Sequence, residues 1–186
     1  MARETITTYG GLIQAAILLK NNADLWIVTG RQTAWSDEDI PDSPTPGTTD
    51  VEEPLVALKC LSPIMAREVS LEDYNAISPS YRRVHYNEQG IVYFELVPDV
   101  DAFTKNATNI YCEAVYAPLL GHPEGYFRIY GVYSGLTPAA GYETAEYLAP
   151  ANVDSYGLLL TLSHGKVYET TETGRAVTIP MLISLF

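Results

Sequence analysis

Basic residues are scarce in this chain, since 11 Lys and Arg stand against 23 Asp and Glu, for a formal net charge of -12. Neutralising a phosphate backbone needs clustered cations, so the balance excludes a nucleic-acid-binding role. Cysteine is equally sparse: Cys60 and Cys112 are too few for a disulfide scaffold, and their spacing matches no zinc motif. Two reduced, half-buried thiols are the expected state. The apolar stretch Leu12–Leu19 is broken by Gln14 and ends at Lys20-Asn21-Asn22, far short of the ~20 apolar residues that span a bilayer. Glu4 and several threonines precede it where a secretory leader carries a basic region, so neither a transmembrane nor a secreted reading is supported. The sequon Asn106-Ala107-Thr108 carries no weight without such a leader.

Catalytic motifs are also missing. The sequence has no Gly-x-Ser-x-Gly elbow, no Gly-rich loop ending in Gly-Lys and no dinucleotide fingerprint. His85, His122 and His164 are far apart, and His122 sits in Gly121-His122-Pro123-Glu124-Gly125, where Gly and Pro already explain a turn. Asp37-Glu38-Asp39 and Asp99-Val100-Asp101 lack the alternating ligands, central Gly and terminal Glu of a calcium loop. Ser163 beside His164 is no nucleophilic pair, because neighbouring strand or turn residues point in different directions. No catalytic residue, metal or cofactor is expected.

What is present is β-rich. Residues 8–21 read as an amphipathic helix, with Thr7 or Thr8 as cap and apolar residues at three- and four-residue spacing. Leu25–Val28, closed by Gly30, is a short strand. Further β-like runs follow at Leu55–Leu61, Ile64–Val69, Tyr81–Tyr86, Ile91–Val97, Asn109–Tyr116, Tyr126–Tyr133, Gly157–Leu162, Lys166–Thr170 and Val177–Leu185. This spacing predicts a mainly β fold, an antiparallel β-sandwich or barrel-like domain with an N-terminal α-helix. Both faces of Asn109–Tyr116 are largely apolar, so that strand is expected to be central or covered on both sides. Ser163-His164-Gly165-Lys166 suits a tight hairpin turn, and Pro180 places the last strand at an edge or a bulge.

Between residues 34 and 54 the character changes. Pro41, Pro44, Pro46 and Pro54 lack amide protons, and seven acids (Asp37, Glu38, Asp39, Asp42, Asp50, Glu52 and Glu53) stand there with no basic residue between Arg31 and Lys59. The segment reads as a Pro-rich acidic arm or long loop that gives a core little beyond Ile40 and Val51. The expected organisation is an N-terminal helix and first strand over 1–33, the arm over 34–54, and a β-rich domain over 55–186 that includes the first strand. Fourteen tyrosines against four phenylalanines suit strands that partner subunits cover, since Tyr joins a large apolar ring to a hydroxyl that tolerates water.

Two stretches carry a family resemblance. One runs from Leu25-Trp26-Ile27-Val28-Thr29-Gly30-Arg31 through Trp35, Asp37, Glu38, Asp39 and Pro41 to Glu53-Pro54-Leu55. The other runs from Tyr111-Cys112-Glu113-Ala114 to Phe127–Leu136, followed by Asp154-Ser155-Tyr156-Gly157 and the apolar C-terminal run. Together, over about residues 24 to 186, they resemble virion structural proteins of tailed bacteriophages, of the baseplate-wedge or neck type. Family members often have paired prolines after the acids, whereas Pro41 and Pro44 are separated here, and the N-terminal helix lies outside the pattern. The resemblance implies a non-enzymatic subunit located in the virion, assembled in the host cytoplasm and acting by protein-protein assembly. Its partners are then other tail, baseplate or neck subunits, in multiple copies on a symmetric ring, with no nucleic acid and no membrane. The candidate contact residues are Trp35, Asp37, Glu38, Asp39, Pro41, Pro44 and Pro46. A β-sandwich carbohydrate-binding or host-attachment module is the alternative, with exposed Trp26 or Trp35 and several tyrosines as stacking faces. A hydrolase built on an unrecognised carboxylate pair is a third reading, with no specific residue behind it.

Overall fold

β-branched and aromatic residues dominate the runs that become strands, and the computed structural model is mainly β. It describes residues 8–22, 24–44, 47–87, 90–117, 125–169 and 176–184. Helix α1 (Thr8–Asn22) buries Ile13 and Ala16, and its last turn is fastened by Lys20 to Asp99 at 3.1 Å. Strand β1 (Leu25–Gly30) is buried along its whole length, as the continuous apolar run requires. There follow β2 (Val56–Lys59), β3 (Leu61–Val69), α2 (Leu71–Ala76), β4 (Arg82–Asn87), β5 (Gly90–Val97) and β6 (Asn109–Tyr116). The remaining strands are β7 (Tyr126–Ser134), β8 (Thr137–Pro138), β9 (Tyr147–Leu148), β10 (Val153–Ser155), β11 (Leu158–Glu169) and β12 (Val177–Ser184).

Among the described residues the strands form two five-stranded antiparallel sheets, ordered β11-β7-β1-β2-β9 and β12-β6-β3-β5-β4, and a small ribbon of β10 with β8. The expected interior position of β6 is observed, with β12 on one side and β3 on the other. Pro180 lies on β12, which is an edge strand, the place in a sheet that tolerates proline. One expectation is corrected. Ser163–Lys166 is not a hairpin turn; it lies inside β11, which pairs with β7 from Leu158↔Ser134 to Glu169↔Tyr126. The register shifts between Leu159 and Thr161 and again between His164 and Tyr168, so Gly165 sits in an irregular stretch of the strand, where Gly is common.

The chain divides into two compact units, one made of Met1–Ala23, Ser62–Cys112 and Pro180–Phe186, the other of Asp24–Leu61 and Glu113–Ile179. Cys112 is buried in the first and Cys60 in the second. The charge is unevenly divided: the second unit holds 15 of the 23 acids against 5 Lys and Arg, the first 8 against 6. In the first unit Ala66, Phe94, Leu96 and Tyr111 form a small core. On that sheet Glu95, almost wholly buried, accepts from Arg67 Nε and Lys105 Nζ, each at 2.6 Å. In the second unit Trp26, Val28, Trp35, Val51, Ala57, Ile129, Tyr133, Leu136 and Leu148 pack together.

Candidate assembly surface

β1 and β2 are adjacent antiparallel strands, with Trp26 opposite Lys59 and Thr29 opposite Val56. The Pro-rich acidic segment is therefore the loop of an enlarged hairpin. Its neck is closed by backbone bonds from Arg31 N to Glu52 O at 2.8 Å and from Leu55 N to Thr29 O at 2.7 Å. Arg31 (φ 54°) and Glu53 (φ 46°) both take the left-handed conformation there, at roughly 1–2 kcal/mol each for residues with a Cβ. Side chains hold that geometry. The Glu53 carboxylate accepts from Gln32 N at 2.9 Å, Thr33 N at 3.1 Å and Thr33 Oγ1 at 2.7 Å, bonds that keep it below the usual carboxylate range. Arg31 donates to Glu52 at 2.5 Å while its guanidinium lies 4.0 Å from the Trp35 ring centre.

The return of the loop is received by two glycines. Val51 is 5% exposed, and its two methyl groups face Gly30 and Gly131. A Cβ on Gly30 would stand 2.5 Å from Val51 Cγ1 and 2.3 Å from Glu52 O, and one on Gly131 would stand 3.1 Å from Val51 Cγ2. Val51 N donates to Tyr133 Oη at 2.7 Å. Burial, helped by Asp50 and Tyr156, pushes the Tyr133 phenol up to about 12 despite that bond.

Further out, Trp35 is 5% exposed, donates from Nε1 to Gly165 O at 3.0 Å and stacks at 5.1 Å on His164, whose Nδ1 meets Asp42 O. Arg128, itself buried on β7, reaches Glu38 through Nε at 2.9 Å and Nη2 at 2.7 Å and Gln32 O through Nη1 at 2.6 Å. The Arg128 hydrogen bond holds the Glu38 carboxyl below its ordinary value. Between these anchors Asp37 Oδ1 accepts from Asp39 N at 2.9 Å and Asp37 O from Ile40 N at 3.2 Å, a tight turn that leaves Ile40 71% exposed.

Of the seven candidate contact residues, Asp37 and Asp39 are exposed; Glu38, Pro41 and Pro44 are half-buried; Trp35 is buried; and Pro46 lies outside the described residues, as does His122. Trp35 thus shapes the loop from beneath. Sequence reasoning did not anticipate Arg128, Gly30, Gly131 or Tyr133, and the signals were weak: one Arg in an apolar strand, one Gly inside a strand and one at a strand end. Trp26 and Trp35 are both buried, so neither offers the stacking face that carbohydrate recognition needs. Among the described residues no group of three or more His, Cys, Asp or Glu could hold a metal, and no helix is long and apolar enough to cross a membrane.

Two comparisons bear on this arrangement. A family model described as "Baseplate wedge 3 tail fiber network component" matches residues 4–184. "Virion protein 3" of Enterococcus phage phiEF24C is 31% identical over 157 residues, which cover 83% of this chain and 81% of that protein.

Proposed function

Because the chain belongs to the baseplate wedge 3 tail fiber network component family, a group of phage virion structural proteins, we propose that it is a non-enzymatic baseplate subunit whose acidic loop docks on a neighbouring virion protein. The observation that carries this reading is the Asp37–Ile40 turn, where a large apolar side chain stands 71% exposed on a loop fastened by Glu38 to Arg128 and by Trp35 to β11. Preordering of this kind removes the entropy cost that a loose arm meets on binding. An aliphatic anchor ringed by Asp37, Asp39 and Asp42 fits an apolar pocket rimmed by Lys or Arg. Such a subunit works in multiple copies on a symmetric ring and joins the particle in the host cytoplasm.

The test is incorporation. Ile40→Ser and Asp42→Asn remove the anchor and one rim charge without touching the buried anchors. The purified variants should melt like the wild type, and their copy number in purified particles should fall. A normal copy number would show that the loop tip is only a solvated turn. Of the stacking faces that the carbohydrate-binding alternative invokes, both tryptophans are buried, while Tyr81, Tyr126, Tyr142 and Tyr147 are exposed.

A further inference from the structure

Among the Lys and Arg residues whose side chains are described, Lys20, Arg31, Lys59, Arg67, Lys105 and Arg128 each meet a carboxylate at 2.5–3.1 Å. Arg82 and Arg83 meet none among the described residues, in a chain of 23 acids and 11 Lys and Arg. Both open β4, and both are half-buried. Arg82 stands opposite Glu95, but Arg67 and Lys105 already hold that carboxylate, and the Arg82 guanidinium lies 4.9 Å from the Tyr74 ring centre. Arg83 stands opposite Phe94, with its guanidinium 5.6 Å from the Tyr111 ring centre. Among the described residues their hydrogen bonds go to backbone carbonyls: Arg82 Nη1 to Tyr74 O at 3.4 Å, and Arg83 Nη1 to Arg82 O at 2.9 Å and Ser80 O at 3.4 Å. The Nε and Nη2 donors of each are left for a partner, on guanidinium planes that the rings hold in place.

The two guanidiniums lie on opposite faces of the sheet, as consecutive strand residues do. The Arg82 face carries Tyr74, whose ring lies 4.9 Å from that of Tyr93; the Arg83 face carries Phe94 and Tyr111, which share the small core of the first unit. One small anion cannot reach both. An extended chain beside β4 can, because its own consecutive residues alternate in the same way. β4 ends its sheet, pairs with β5 in unbroken register from Arg82↔Glu95 to Asn87↔Gly90, and contains neither proline nor an acid. Among the described residues no loop or turn backbone bond reaches it, so its outward N–H and C=O groups are open to a further strand. Positive charge on such an edge turns away an apolar or basic strand and selects an acidic one.

We propose that the β4 edge docks an extended acidic segment of another virion protein, two consecutive carboxylates of which meet Arg82 and Arg83. The inference rests on the assembly role proposed above but not on the acidic loop. A second copy of this chain does not supply the segment. Its consecutive acids are Asp37-Glu38-Asp39, Glu52-Glu53 and Glu72-Asp73, and none of them lies in a strand. Glu38 is held by Arg128, Glu52 by Arg31 and Glu53 by Thr33, while Glu72 and Asp73 form the first turn of α2. A nucleic acid, with a charge on every phosphate, is repelled by the net charge of -12, to which a segment with two acids is far less sensitive. Backbone bonds supply the ladder, and the charge-assisted Arg–carboxylate pairs on either face fix its register.

The experiment titrates the full chain, from about 1 μM to about 1 mM, into short labelled peptides rich in Val and Thr, read by fluorescence anisotropy. One peptide carries Glu-Glu at its centre, a second Glu-Thr-Glu and a third Gln-Gln. The Glu-Glu peptide should bind about tenfold or more tighter than the other two, and more weakly as salt is added. Arg82→Gln and Arg83→Gln should each reduce its affinity by about tenfold. Hydrogen exchange of the β4 amides should slow in the wild-type complex, a readout that needs no variant. Equal affinity for Glu-Glu and either control peptide, full-strength binding by both variants, or displacement of the peptide by inorganic phosphate at equal concentration would each overturn the proposal. So would self-association of the wild-type chain that both variants abolish, since a second copy would then fill the edge. Particle incorporation of the Ile40 and Asp42 variants tests the loop and not this edge, so the two readings succeed or fail separately.

Discussion

Replacing Gly30 by Ala inserts one methyl group into the seat of the acidic loop. The new Cβ meets Val51 Cγ1 at 2.5 Å and Glu52 O at 2.3 Å, distances at least an ångström inside ordinary contact. Glu52 O is backbone, and it also accepts the 2.8 Å bond from Arg31 N that closes the loop neck, so the strain cannot be relieved by turning a side chain. Overpacking of this kind costs about 1–3 kcal/mol, and losing the neck bond adds about 1 kcal/mol. Opposing this, Ala restricts the unfolded chain more than Gly does and favours folding by about 0.4–1 kcal/mol where the backbone tolerates it. The net expectation is a loss of about 2 kcal/mol, within a range of roughly 1–4. Val51→Ala removes two methyl carbons from the same seat, worth about 1.6 kcal/mol at ~0.8 each, before any cavity left behind is counted. In the double variant part of the clash is gone, because Val51 Cγ1 is absent while Glu52 O remains. The combined loss should therefore fall short of the sum by up to about 1 kcal/mol. Urea unfolding gives the three values, and limited proteolysis between Ser36 and Asp50 reports separately whether the loop has come away. A Gly30→Ala protein as stable as the wild type and no more readily cut would refute the packing argument.

Three further expectations concern titratable groups. Burial alone would raise the Glu95 carboxyl, but Lys105 and Arg67 outweigh it and hold it below the ordinary value, so its contribution is present above the unfolded pKa of ~4.3 and fades as pH falls through the lower folded value. Lys105→Met should lower stability at neutral pH and flatten the acid limb of a stability-against-pH curve; an unchanged acid limb counts against the bridge. Burial lowers the pKa of His85, which makes the folded state the weaker proton binder, so stability should decline as pH drops below ~6.5 and the decline should be absent in His85→Gln, both measured by thermal melts. Cys60 and Cys112 are buried free thiols, so a thiol reagent should find two groups in denatured, unreduced protein and react far more slowly with the native chain.

How far the fold was legible follows from which signals are local. Leu25–Gly30 and Asn109–Tyr116 announce themselves by continuous apolar character, and Pro180 marked its strand as an edge. α2 is also written locally, in Ser70-Leu71-Glu72-Asp73: Ser70 Oγ accepts from Asp73 N at 3.0 Å in a capping interaction that can be read from the four residues but was missed. Ser-His-Gly-Lys suits a turn and an irregular strand alike, and only pairing with β7 decides between them. The loop is the clearest case of information held elsewhere. Its prolines and acids correctly predict irregular backbone, yet what fastens it is Arg128, 90 residues away from Glu38, and Tyr133, 82 away from Val51. A chain of polar residues does not disclose which of them has a buried partner.

The way the two units share the chain bears on synthesis. The polypeptide passes between them at residues 23/24, 61/62, 112/113 and 179/180, and the strands β6 and β12 each begin in one and end in the other. Emerging from a ribosome at about 5–20 residues per second, the chain cannot finish one unit before starting the other. The segment Pro180–Phe186, which supplies the buried Met181 and Ile183 to the first unit, is exported after all of the second. For about 5–20 s at that rate, β1 waits for its mate β7, a period in which a chaperone or a crowded neighbour competes for it. A proteolytic nick at 112/113 or 179/180 therefore falls inside a strand, β6 or β12, and should be slow in the folded chain.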